Sequence, residues 1–397
     1  MEEKSSFKSF LPVIGIALLA FIFNTSEFMP TGLLSSIATS LDVSISKAGL
    51  LITVYAYAVT LLSIPIMLFF TRYSFKTSLA YASGLFSICQ LLSAISPSYL
   101  ALMFSRLGVA TAHSLFWAIA APAATDIVDQ KRKAKAMSAV VSGTSLAIIL
   151  GLPLGRVAGL YAGWRLSFAV LGLLSLLVFF YILIKFPYKI NMRENKSGVI
   201  KAIIHNKVLL SIYLLTFLLI SGYYTAYSYI EPFFQVIASY NEHTITLLLT
   251  LFGVAGLCGS LLFPFIYRKR RYALVCFIPI LVFIVLLTLK LNSTFIALSI
   301  LSALGFGLAF SLYSALFQSE IIKASSSASV AVAMAAFSAI FNLGIGSGTY
   351  LGGIIEKNIG LSYMGLIGSI FAFIATLFTI LYLCPKIKER DKEKGWR

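Results

Sequence analysis

Long apolar blocks separated by short basic ones constrain this chain more than any other feature. Leu11 to Phe23, Leu209 to Ile220 and Leu366 to Leu383 contain no charged residue. A bilayer core about 30 Å thick is crossed by roughly 20 apolar residues in helix. Flanking Ser, Thr and Gly, which membrane helices tolerate, bring the blocks to that length. The chain is 59% hydrophobic and 11% charged, against about 25% charged in soluble domains. An all-α integral membrane protein is expected, with lipid covering much of its surface.

Twelve spans fit, and the longest hydrophilic stretch, 188–207, divides six from six. The expected organisation is a six-helix bundle over 1–187, a linker over 188–207 and a second six-helix bundle with a basic tail over 208–397. Two joined bundles are the build of secondary transporters; a gene-duplicated channel has the same outline. The halves echo each other: Glu27 and Pro30 in span one, Glu231 and Pro232 in span seven, and glycine-rich stretches in spans five and eleven.

The net charge of +17 could suggest nucleic acid, but its placement argues otherwise. Basic residues cluster between spans, as at Lys131-Arg132-Lys133 and Arg268 to Arg271. With a cytoplasmic N-terminus, 25 of the 31 lysines and arginines fall on the inner side, which is the positive-inside pattern. Both termini are therefore expected in the cytoplasm. The N-terminal lysines and apolar run resemble a signal peptide. No small-residue cleavage site follows, and polar Asn24 to Glu27 lie within the span, so a retained first helix is expected. The four cysteines have neither metal-ligand nor disulfide-framework spacing and read as packing residues.

Ionisable residues inside a membrane are functional candidates by default. Glu27, Arg106, His113 and Glu231 stand well inside spans. Asn24, Glu27 and Thr31 share a helix face by their spacing, as do Arg106, His113 and Trp117. The depths of Glu27 and Arg106 match, so the two are expected to pair. A carboxyl between a dehydrating environment and a cation can change protonation as its surroundings change, as proton coupling needs. A structural ion pair is the plainer alternative. Imidazole titrates near neutrality when unperturbed, so His113 could carry a proton or donate to a substrate hydroxyl.

Span seven places Tyr224, Tyr227, Ser228 and Glu231 on one face, with Pro232 able to bend the helix. Hydroxylated aromatic faces suit sugars and amphipathic drugs equally. Tyr223 and Tyr229 read as an interfacial aromatic belt, and Glu231 as an outer-mouth residue. Asn342 in span eleven and Tyr55 in span two either line a cavity or bond between helices. Gly151, Pro153 and Gly155 in span five read as a flexible, tightly packed hinge where bundles could meet; packing alone is the alternative. No phosphate-binding loop, metal cluster or hydrolase triad is present in the sequence. No cofactor is expected; a proton gradient would supply the energy.

Arg106-Leu107-Gly108, the degenerate Gly143 to Gly155 segment and Gly163-Trp164-Arg165 resemble the major facilitator superfamily, in particular its drug:proton antiporter branch. Residues 20–28, 150–156, 224–233 and 340–346 are similar to bacterial sugar efflux transporters of the SotB type. That resemblance implies a multi-pass inner-membrane antiporter that exports arabinose-like sugars or thiogalactosides in exchange for protons, with Glu27 as the proton-carrying acid. Substrate would meet Asn24, Tyr55, His113, Trp117, Tyr224, Tyr227, Glu231 and Asn342. The expected partners are sugar, protons and lipid, with no nucleic acid, and the chain is expected to be monomeric. The loop between spans two and three keeps only the family's basic character, at Arg72 and Lys76, which leaves the usual inner-gate charge pairing without a match. A multidrug exporter, an importing symporter and a ligand sensor without turnover remain open.

Overall fold

Lipid cannot hydrogen-bond to backbone, so a membrane chain closes its bonds within helices or barrels, and helix is the regular structure found here. A computed structural model describes residues 2–70, 72–129, 132–187, 203–326 and 329–393. Most of the 188–207 linker lies outside the described residues.

The first half comprises α1 (Glu2–Phe28), a 3-10 turn (Met29–Gly32), α2 (Leu34–Ser40), α3 (Ile45–Phe70), α4 (Phe75–Ala94), α5 (Tyr99–Asp126), α6 (Lys133–Leu146), α7 (Leu152–Ala162) and α8 (Trp164–Lys185). The second comprises α9 (Lys207–Tyr227), α10 (Ile230–Val236), α11 (Glu242–Asn292), α12 (Ile296–Ala324), α13 (Val330–Asn358), α14 (Met364–Phe378) and α15 (Cys384–Glu393). Among the described residues, nine stretches are long and apolar enough to cross a membrane. The 51-residue α11 turns back at Arg270, whose φ of −137° and ψ of 38° leave the helical region, and supplies two spans. Two more complete twelve: α4, and α6 with α7. Helix α4 is less apolar because it is bonded to its neighbours through polar groups. Ser87 donates to the Gly172 carbonyl, the Ser83 carbonyl accepts from Ser175, and Ser93 bonds Ser105.

Contacts divide the chain into two compact units. One contains Met1–Ser44 and Val54–Glu194; the other contains Ile45–Thr53 and Asn195–Arg397. The opening turns of α3 join the second unit because Gly49 lies where a Cβ would strike the Tyr229 hydroxyl.

Each unit repeats one packing plan. In the first, α1 packs on α6 and α4 on α8; in the second, α9 packs on α13 and α11 on α14. Small residues make both contacts close. A Cβ at Gly143 would meet the Ala17 carbonyl oxygen; one at Gly348 would meet that of Ser221. Pro153 cannot donate to the Ile149 carbonyl, and the chain widens into a π turn over Ala147–Gly151 before α7 begins. Gly151 and Gly155 face Thr25 and Met29 of their own unit. Both contacts lie between span one and span five. The loop into α8 requires a positive φ, +83° at Gly163, which only glycine adopts freely.

Candidate functional site

In the first unit the site grows from the end of α1. The Ser26 carbonyl would ordinarily accept from the N–H four residues on. That residue is Pro30, which has none. Arg106 of α5 fills the vacancy: Nη2 donates to the Ser26 carbonyl at 3.2 Å and Nη1 to the Ser26 hydroxyl at 3.0 Å. The guanidinium also lies over the Tyr55 ring, 4.5 Å from its centroid, and 5.7 Å from that of Phe168. Arg106 is 1% exposed. Burying a charge is costly unless it is compensated, and two hydrogen bonds and two ring faces do this here. Its Nε has no partner.

The expected pairing of Glu27 with Arg106 is not the geometry found. Both arms of Arg106 are committed to Ser26, and the basic side chain within 4 Å of Glu27 is His113, Oε2 to Nε2 at 3.8 Å, an ion pair only when the imidazole is protonated. That distance is too long for a hydrogen bond. Phe23, Tyr55 and Trp117 surround the imidazole, with ring centroids at 6.0, 5.7 and 6.2 Å. His113 Nδ1 and the Tyr55 hydroxyl are buried without partners. Asn24 is spent on structure: its amide donates to the Ala20 carbonyl and to Thr144 of α6. Gln90 of α4 was not anticipated; its amide donates to the Ser26 hydroxyl.

In the second unit, α9 breaks at Ser228, just before Pro232. Tyr223, Tyr224 and Tyr227 form a cluster with Phe252, Phe306 and Phe310, and Tyr227 stacks on Phe252 at 4.9 Å. Tyr223 and Tyr229 are 2% and 1% exposed, so they are not an interfacial belt: Tyr223 belongs to this cluster and Tyr229 donates to the Thr349 carbonyl. Glu231 is buried in the first turn of α10. Asn342 donates to the Ser338 carbonyl of its own helix at 3.1 Å, and its Oδ1 has no partner.

A charged cluster in the second unit escaped the sequence. Arg271, at the turn of α11, reaches Glu320 of α12 and Asp391 of α15, both at 2.5 Å. Arg390 reaches the same two acids, and Tyr267 and Tyr272 donate to them. The partners are 49 and 120 residues from Arg271, so no local spacing signals them. Arg156 also proves buried, donating to the Gly32 carbonyl.

The profile of the Major Facilitator Superfamily matches residues 16–332 of this chain. Among solved structures, the chain is similar to a bacterial homologue of the human lysosomal transporter Spinster. Against its inward-facing, unoccupied form the TM-score is 0.73 at 16% identity, covering 96% of this chain and 97% of that one. Its inward-facing, occupied form matches with the same TM-score and coverage at 17% identity.

Proposed function

This chain belongs to the major facilitator superfamily, and from that premise we propose that it is a proton-coupled antiporter of the drug:proton branch, exporting a sugar by alternating access. The observation that carries this reading is the group of Glu27, His113 and Arg106, one carboxyl that is largely enclosed with one imidazole and one guanidinium that are buried, on neighbouring helices of one unit. Charge inside a membrane is expensive, and where it is kept it marks an ion or proton path. Glu27 is the proton carrier and His113 its exchange partner; Arg106 sets the field around both. Ionised Glu27 is held by the field of Arg106. A proton arriving at Glu27 removes its charge, weakens that hold and lets the carrier reset.

For the substrate, each unit offers polar atoms set among rings. The first has the Tyr55 hydroxyl, His113 Nδ1 and the half-buried Trp117; the second has Asn342 Oδ1 and the tyrosines of α9. Rings cover the C–H faces of a pyranose while the polar atoms take its hydroxyls. Arabinose-like sugars and thiogalactosides are the class implied, from the similarity of residues 20–28, 150–156, 224–233 and 340–346 to sugar efflux transporters. The orientation that goes with export places both termini in the cytoplasm of a bacterial inner membrane, with the monomer as the working unit. The aromatic cluster of Tyr223, Tyr227, Phe252, Phe306 and Phe310 supports a second reading, export of amphipathic drugs.

Uptake of labelled arabinose or a thiogalactoside into inside-out vesicles, with and without a pH gradient, tests the proposal. Gradient-dependent accumulation that is lost in Glu27→Gln, with exchange retained, is expected. No accumulation of sugar, with competition by lipophilic cations, would give the assignment to drugs. Full coupling in Glu27→Gln would remove Glu27 from the proton path.

A further inference from the structure

Ser26 differs from many hydroxyl residues of these helices in accepting two donors from other helices. Ser63, Ser83, Thr111 and Ser114 each donate to the carbonyl four residues back in their own helix, the usual resting place for such a side chain. The Ser26 oxygen instead receives two donors from other helices, Gln90 Nε2 of α4 and Arg106 Nη1 of α5. Gln90 and Ser26 are both 0% exposed, so neither interaction is offered to water.

We propose that Gln90 is a positioning residue: by holding the Ser26 hydroxyl off its own helix, it keeps the guanidinium of Arg106 on residue 26 and away from the neighbouring carboxylate of Glu27. This rests on the reading of Glu27 as the proton carrier. Without the Gln90 amide, the Ser26 hydroxyl turns back to the Ile22 carbonyl. Arg106 Nη1 then loses its acceptor. With Nε already unpartnered, the guanidinium turns to Glu27. The groups facing Glu27 are His113 and Arg106 of α5 and Tyr55 of α3. Of the cations on the other elements packed against α1, Lys135 of α6 lies over Phe10, Arg156 of α7 is on Gly32, and Arg165 of α8 is on Ser40 and Ser96, while Lys133 and Lys185 stand exposed at the ends of α6 and α8. No other described cation forms an ion pair with Glu27. A carboxylate holding a guanidinium directly gives up its charge only at more acid pH.

Infrared difference spectra of the purified full-length protein, taken across pH, test this without a substrate. The Glu27 carboxyl band is the one missing from Glu27→Gln. In Gln90→Met, similar in length with no donor, that band is expected to appear at lower pH than in the wild type. Ser26→Ala, which leaves the packing of α4 intact, should shift it the same way, and Ser26→Thr should restore it. An unchanged midpoint in Gln90→Met and Ser26→Ala overturns the inference while leaving proton coupling in place. No titrating Glu27 band in the wild type overturns both the proton-carrier reading and this one.

Discussion

Glu27 and His113 face each other across 3.8 Å, and the rings of Phe23, Tyr55 and Trp117 stand around the buried imidazole. Among the described residues the carboxyl has one basic side chain within ion-pair distance, and it is one that can itself be neutral.

Replacing His113 should therefore separate coupling from transport. In His113→Gln an amide keeps the polar contact but takes up no proton. Gradient-driven accumulation is expected to fall at least about tenfold, as when an acid–base partner is removed, while exchange of substrate without a gradient persists. Vesicle uptake measured in both modes checks this; equal loss in both would assign His113 a structural role.

Arg106→Lys is expected to fail although charge is kept. A single ammonium cannot place two donors on the Ser26 carbonyl and hydroxyl as the planar guanidinium does. The loss of buried charge-assisted bonds costs about 1.5–3 kcal/mol. A lower melting temperature of the detergent-purified protein, together with reduced transport, is the expected outcome; a wild-type melt would show that the fork geometry is dispensable.

Gly143→Val and Gly348→Val should destabilise the two units in the same way. Each puts a side chain against a backbone carbonyl, of Ala17 and Ser221 respectively, and backbone cannot step aside as a side-chain end can. The cost is about 1–3 kcal/mol, typical of overpacking. Gly163→Ala is the contrasting case: nothing lies within 4 Å, and the strain comes from its φ of +83° alone. Thermal unfolding of the three variants separates collision from backbone strain.

Asp391→Asn is expected to loosen α15. It leaves Arg271 and Arg390 sharing Glu320 as their one acid, a loss of about 1–3 kcal/mol for the cluster. Faster limited proteolysis of the C-terminal helix, with little change in the rest of the digest, is the measurement. Glu320→Gln should act in the same direction, since the same two arginines depend on it.

What the sequence determined about this protein follows from short-range physics. Apolar block length dictates membrane spans, and proline and glycine dictate where helices break, as at Pro30, Pro153 and Gly163. The cost of charge in lipid singles out Glu27, Arg106 and His113 by their place within apolar spans alone. The vacancy that Arg106 fills is also legible there, because a proline at position 30 must leave the carbonyl of residue 26 without its donor. The tertiary structure decided which of these groups meet. Depth along a helix follows from counting residues, but azimuth and side-chain reach depend on packing among several helices. Arg106 therefore binds Ser26 instead of Glu27, Gln90 joins from a helix whose pattern did not mark it, and Tyr223 and Tyr229 turn inward instead of lying at the interface. The Arg271, Glu320 and Asp391 cluster is the limiting case. Its members belong to three separate helices, and no periodicity in a linear sequence encodes a contact made only when those helices are packed.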